Sequence, residues 1–388
     1  MISRLHGLGL PEDVEALRKV VHQFAQREVG PGVVDRDREE VFPRELVRQA
    51  GRLGLLGGIV PTEYGGLGLS HVAYSAIVQE MSRVDHVMGV AMTFPSGLAG
   101  AGILQYGSEH QKRKYLPPLC SGEAMAAAAV TEPSSGTDVA DMHTVCRRDG
   151  SAYVITGQKT WISFLNEADW VMTFATLDRT QRHSAVCAFI VPRDARGLVL
   201  RPFRNKLGFR SLSTGDVIFD DVRVPATNRV GAEGEGFKVA MAAVENGRLG
   251  VASRAIGIAQ DCLDRSVEYA RHREVFGQPI GRFQLVQSMI ADMVVGIESA
   301  RALTNQLADL KDAGKRARRE SSIAKMYATD IALMAATNAV QIHGAYGAHE
   351  DYHVGRHFRD AKIFQIVEGQ NQLHRVLIAE YALGYRTQ

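Results

Sequence analysis

The sequence predicts a multidomain α+β protein. An N-terminal helical domain (residues 1–123) is followed by a central β-sandwich or barrel domain (124–232) and a C-terminal four-helix bundle (233–388). Three observations predict it. Apolar residues recur at helical spacing from Pro11 to about Ser121. Between Tyr153 and Pro225 the pattern shortens to runs rich in Val, Ile and Phe, bounded by Gly, Pro, Asp or Asn. Helical spacing then returns from Phe237 onward. A chain of 388 residues suits two or three domains of about 150 residues each.

In the first segment Val14, Leu17, Val20, Val21 and Phe24 form an apolar stripe flanked by Asp13, Glu15, Arg18 and Lys19. Val87 to Leu104 carries no charge, but Pro95 and its glycines read as a buried helix pair broken at the proline, not a membrane span. Pro117-Pro118 and Ser121-Gly122 close the segment. Strands are expected at Tyr153-Val-Ile-Thr, Trp170 to Ala175, Ser184 to Val191, Leu198-Val-Leu and Val217-Ile-Phe. Long helices follow from Phe237 to about Arg273, Phe283 to Asp312, Ser321 to about Ile342 and Gln370 to Leu383.

Composition excludes several functions. Lys plus Arg is 45 and Asp plus Glu is 43, a net charge of +2, so a general nucleic-acid-binding surface is not expected. The basic cluster Lys311, Lys315, Arg316, Arg318, Arg319 reads as a solvated helix–helix turn. Cys120, Cys146, Cys187 and Cys262 stand far apart, which argues against a disulfide scaffold or a structural metal site. The opening Met1-Ile-Ser-Arg-Leu-His lacks a signal-peptide layout, and a cytoplasmic protein is expected.

No Walker loop, GxGxxG, HExxH or GxSxG occurs. Instead, Val130-Thr-Glu-Pro-Ser-Ser-Gly-Thr-Asp138, Gly157-Gln-Lys-Thr-Trp-Ile-Ser163, Arg273-Glu-Val-Phe-Gly277, Gln341-Ile-His-Gly-Ala-Tyr-Gly347 and Arg359 to Gly369 follow one another in order. Together with Pro61 to Gly66, Ser213-Thr214 and Asp220 to Pro225, they resemble the acyl-CoA dehydrogenase family of FAD enzymes over essentially the whole chain. The resemblance implies FAD-dependent α,β-dehydrogenation of an acyl thioester, a short- or medium-chain acyl-CoA, by a homotetramer reoxidised by an electron-transfer flavoprotein.

By that resemblance Glu368 is the catalytic base. Val130, Thr131, Gly136, Thr137, Trp161, Ile162, Ser163, Gln370 and Gln372 border the flavin. Arg273, Phe276, Gln284, Gln341 and Gly344 serve the pyrophosphate and adenine across a subunit interface. Thr137, Arg248 and Gly369 meet the substrate. The residue types suit the chemistry: a carboxylate in an apolar pocket has its pKa raised toward working pH, and an arginine fork fits phosphate oxygens. Relatives that carry the base on the long bundle helix place it just before an arginine; here Gly247 precedes Arg248, and Glu245 is read as structural. Gln370, Ala345 and Phe164-Leu165 depart from the family's usual Thr, Gly and Asn-Gly. Val87 to Gln105 contains no arginine, which speaks against a substrate with an ω-carboxylate. The rival readings are an acyl-carrier-protein thioester dehydrogenase, a flavin oxidase or N-hydroxylase, and a silent flavoprotein.

Overall fold

The computed structural model describes residues 11–387; the opening hexapeptide lies outside them. Seven helices build the first segment: α1 (Glu12–Phe24), α2 (Val33–Glu39), α3 (Arg44–Arg52), α4 (His71–Val84), α5 (His86–Thr93), α6 (Leu98–Tyr106) and α7 (Glu109–Ser121). Side chains start them: Ser70 and Asp85 accept from the first turns of α4 and α5, and Ser108 with Gln111 forms a capping box on α7. The chargeless stretch is the buried pair α5–α6, broken around Pro95. No helix among the described residues is long and apolar enough to cross a membrane. Pro117 and Pro118 lie inside the last turns of α7 instead of ending it; the helix stops at Gly122, whose φ of 73° is left-handed.

The middle segment is one mixed sheet of eight strands: β1 (Ala126–Ala129), β2 (Val145–Asp149), β3 (Ala152–Ser163), β4 (Trp170–Thr176), β5 (Val186–Pro192), β6 (Leu198–Pro202), β7 (Thr214–Pro225) and β8 (Arg229–Val230). The order is β6-β7-β3-β2-β4-β5-β8, and β1 pairs in parallel with β4. Sequence pattern missed β1, β2 and β8. Ile155, Val171, Phe189, Val217 and Phe219 fill the core that the sheet's inner face encloses.

The last segment holds α8 (Gly236–His272), a small ribbon β9 (Glu274–Val275) and β10 (Gln278–Pro279), then α9 (Gln284–Asp312), α10 (Arg318–His343), α11 (Val354–Phe364) and α12 (Asn371–Ala382). The four predicted helices are present, and α11 is a fifth. Alanines 324, 328, 332, 335, 336 and 339 of α10 are fully buried and help it pack closely along α8. Two buried histidine–carboxylate pairs tie α11 down: His357 to Asp261 of α8 at 2.7 Å, and Asp360 to His86 of α5 at 3.2 Å. α11 thereby fixes the turn that follows it.

Candidate active site

Between α11 and α12 the chain reverses through Glu368, at φ 57°, and Gly369, at φ 91°. A non-glycine residue in the left-handed region is costly and persists only where its surroundings over-determine it. They do so here. Lys325 of α10, fully buried, donates from Nζ to the Gly369 carbonyl at 2.7 Å and to Asn371 Oδ1 at 2.9 Å. Arg248 of α8 donates from Nε to the Glu368 carbonyl at 3.4 Å, so it holds the Glu368 backbone, not a bundle salt bridge. Asn371 in turn donates to Asp330 at 2.7 Å.

The Glu368 side chain lies over Gly247, where an added Cβ would stand 2.7 Å from Oε1. Glycine there makes the room the carboxylate uses. Burial pushes the Glu368 carboxyl up to about 7, against the opposing pull of Arg254, Arg248 and Lys325. Burial also brings the Lys325 ammonium down to about 7. A carboxyl that ionises near neutrality is suited to removing a proton from carbon.

A second group of residues faces this turn from the sheet. A register shift in β3 between Lys159 and Ile162 puts Trp161 in left-handed backbone at φ 60° and leaves it 63% exposed, edge-on to Phe203 at 5.1 Å. Lys159 and Glu132 form a fully buried ion pair at 2.8 Å. With Lys159 Nζ on the Val130 carbonyl at 3.1 Å and Thr160 N–H on the Thr131 carbonyl at 2.9 Å, it binds the Val130–Asp138 loop to β3. Thr137 and Gly136 are exposed, and Gln370 Nε2 reaches Thr137 Oγ1 at 3.5 Å, which joins this loop to the Glu368 turn. Ser163 is half-buried, and Gln372 is exposed on the first turn of α12. Ile162, in contrast, turns its side chain into the sheet core at 2% exposure, leaving only backbone for a ligand. An exposed indole in constrained backbone beside a polar loop fits the ring end of FAD.

Phe164 explains one departure noted in the sequence. Its backbone is left-handed (φ 59°), a conformation that asparagine tolerates well. The phenylalanine is held there by burial against Phe94 and Phe42, with ring centroids at 4.7 and 5.6 Å.

The residues assigned to pyrophosphate and adenine form a separate exposed surface. Phe276 is 95% exposed in the two-residue turn between β9 and β10, with φ 51° followed by Gly277 at 77°, a type I′ pattern. Arg273 lies over the Tyr346 ring at 5.9 Å; Gln284 and Gln341 are exposed at the ends of α9 and α10. Gly344, at φ 60°, has open space where a side chain would be. No hydrogen bond, ion pair or ring contact joins this set to the Trp161 and Glu368 set among the described residues. Arginine, amides and an exposed ring suit phosphate and adenine.

Sequence reading missed Lys159, Lys325 and Asn371; the signal was a lysine interrupting an otherwise apolar or small-residue stripe. The basic cluster sits, as expected, in the exposed turn between α9 and α10. Lys311, Lys315, Arg316 and Arg318 line a pocket of roughly 650 Å³ with Glu245, Asn246, Leu104 and Gln105. Glu245 is occupied in an ion pair with Arg318 at 2.7 Å. The cysteines are free and buried, and no metal-binding group occurs among the described residues.

Family models match most of the chain: the acyl-CoA dehydrogenase N-terminal domain at residues 11–123, the middle domain at 127–222 and the C-terminal domain at 234–383. The chain is 39% identical to the mitochondrial short-chain specific acyl-CoA dehydrogenase of Mus musculus, over 99% of this chain and 94% of that protein. Butyryl-CoA dehydrogenase from Megasphaera elsdenii superposes with a TM-score of 0.93 at 35% identity, covering 97% and 99% of the two chains. A solved structure described as the electron transferring flavoprotein of Acidaminococcus fermentans gives 0.93 at 38% identity, again over 97% and 99%. A neutral-range carboxylate above a glycine, three matching domains and whole-length relatives lead to one assignment: the chain belongs to the acyl-CoA dehydrogenase family, FAD-dependent enzymes that oxidise acyl thioesters to their 2-enoyl products.

Proposed function

We propose that this protein oxidises a short-chain acyl-CoA with Glu368 as the base that removes the α-proton. The observation that carries this is the Glu368 carboxylate, held over Gly247 with its pKa brought to about 7 by burial. FAD, when bound, supplies the acceptor for the β-hydrogen as hydride. Glu368 takes the α-proton, and the electron pair of that C–H bond becomes the new Cα=Cβ bond. Lys325 and Arg248 keep the base in place through the carbonyls of Gly369 and Glu368. The Val130–Thr137 loop, Trp161, Ser163 and the Gln370–Gln372 turn would border the flavin. The pocket rimmed by Lys311, Arg316 and Arg318 supports a role in receiving the phosphates of CoA, beginning one residue before Gly247 on α8.

The separation of the Arg273–Phe276–Gly344 surface from the flavin-facing residues supports a site completed by a second copy, and thus the homotetramer. The match to a structure described as an electron transferring flavoprotein, and 37% identity to a caffeyl-CoA reductase-Etf complex subunit, support such a protein as reoxidant. Buried, free cysteines support a reducing compartment, the cytoplasm. Anaerobic mixing of the FAD-bound protein with butyryl-CoA should bleach the flavin's visible band. Glu368→Gln should keep FAD yet slow bleaching by about 10⁴-fold. Equal bleaching in that variant would refute Glu368 as base.

A further inference from the structure

The face of α8 that carries Gly247 continues through Gly250 to Arg254, two turns deeper and about 10 Å along the axis. Arg254 is 7% exposed, yet no carboxylate stands within ion-pair distance of it among the described residues. Its hydrogen bond runs from Nε to the Gly250 carbonyl at 3.2 Å, which folds the side chain back along the helix toward Glu368. The guanidinium lies 5.4 Å from the centre of the Phe364 ring. Gly89 of α5 provides the space for the stem: a Cβ there would be 3.2 Å from Arg254 Cγ.

Polar groups from α4 and its neighbours gather around the same spot. The buried Tyr74 hydroxyl accepts from Ser96 Oγ at 3.1 Å, and Thr93 stands against Gly250. The acidic groups that favour the charged form of Arg254 are Glu368 first and the Tyr74 phenol second, and burial holds that phenol neutral by pushing its pKa up to about 12. Burial lowers the pKa of Arg254 only to about 10, so it remains a cation at neutral pH. A buried cation without a carboxylate is costly, and a hydrocarbon tail laid against it would leave it uncompensated.

We propose that Arg254 receives a carboxylate at the far end of the acyl chain, so that the preferred substrates are short dicarboxylic acyl thioesters. This rests on the acyl-thioester dehydrogenase reading and names its substrate class. The distance from the Gly247 level to the guanidinium is one to two helical turns, about 5–10 Å, which suits a short diacid. A planar fork of donors can take both carboxylate oxygens. The absence of arginine from residues 87–105 pointed the other way; the cation comes from α8 instead, its stem in the space that Gly89 leaves open.

The test compares matched CoA thioesters, butyryl and hexanoyl against glutaryl and adipoyl, with anaerobic flavin bleaching of the FAD-bound protein. The wild type should favour a diacid in kcat/KM. Arg254→Gln should shift the diacid-to-monoacid ratio by at least a hundredfold toward the monoacid, chiefly through KM, and Arg254→Lys should restore part of it. Strong bleaching by butyryl-CoA but none by either diacid overturns the proposal and leaves the dehydrogenase reading intact. An unchanged ratio in Arg254→Gln overturns it as well. Silence with all four thioesters sinks both.

Discussion

Glu368 and Phe276 both hold a bulky side chain in left-handed backbone, yet their settings are opposite. The Glu368 turn is gripped from three helices by Lys325, Arg248 and Asn371, all inside one chain. Phe276 projects almost fully into solvent from a two-residue turn, and Trp161 is similarly bare on its bulge. The difference separates two kinds of job. On the proposed function, the atom that would move a proton is positioned before any ligand arrives, because an error of about 1 Å there can cost a hundredfold in rate. The rings proposed to grip FAD are left uncovered, and the ligand itself would supply their missing packing.

That contrast can be broken at its tight end first. Gly247→Ala places a methyl where the carboxylate now lies, and a flexible side chain can swing away, so the protein should fold normally. Bleaching by its substrate should slow by about 100-fold; a wild-type rate would show that the carboxylate position is not critical. Next, Lys325→Met removes the donor to Gly369 and Asn371 and leaves both acceptors buried. Stability should fall by about 2 kcal/mol, read by denaturant unfolding, with turnover lost alongside. A variant that lost activity at unchanged stability would place Lys325 in the chemistry instead.

The pH profile sharpens the same comparison. With Glu368 ionising near 7, the rate should fall about tenfold for each pH unit below 7 and level off above it. The same shift acts on folding. This carboxyl binds its proton more tightly folded than unfolded, so its contribution to stability declines as pH rises from the unfolded value near 4.5 toward 7. At the loose end, Phe276→Ala should weaken FAD binding by roughly tenfold, about the worth of one aromatic contact. The melting temperature without FAD should hardly move. A large drop would mean that the exposed ring supports the fold after all.

Much of this plan was legible in the sequence, and the failures have one physical origin. Helices α8, α9, α10 and α12 were readable because their buried faces are apolar or small and recur at helical spacing. α11 was not, since its inward face includes Arg356, His357 and Asp360, which pattern reading assigns to solvent. β1 is four alanines and β2 is Val-Cys-Arg-Arg-Asp, with little β-branched or alternating character to detect. Glu368 was singled out through its motif alone. Lys325 and Arg254 were missed because a buried cation looks, in a string of letters, like an ordinary surface residue.

Gly247 has an evolutionary consequence. It and Glu368 compete for a single seat: even one carbon on the helix would touch the carboxylate opposite. A side chain arriving at 247 would push that carboxylate aside without blocking the fold. On the proposed function, a lineage that gained a second base at 247 would therefore weaken the first in the same step. A single change at 247 costs rate, and only a paired change at 247 and 368 moves the base cleanly, which should make either placement persist for long stretches of descent.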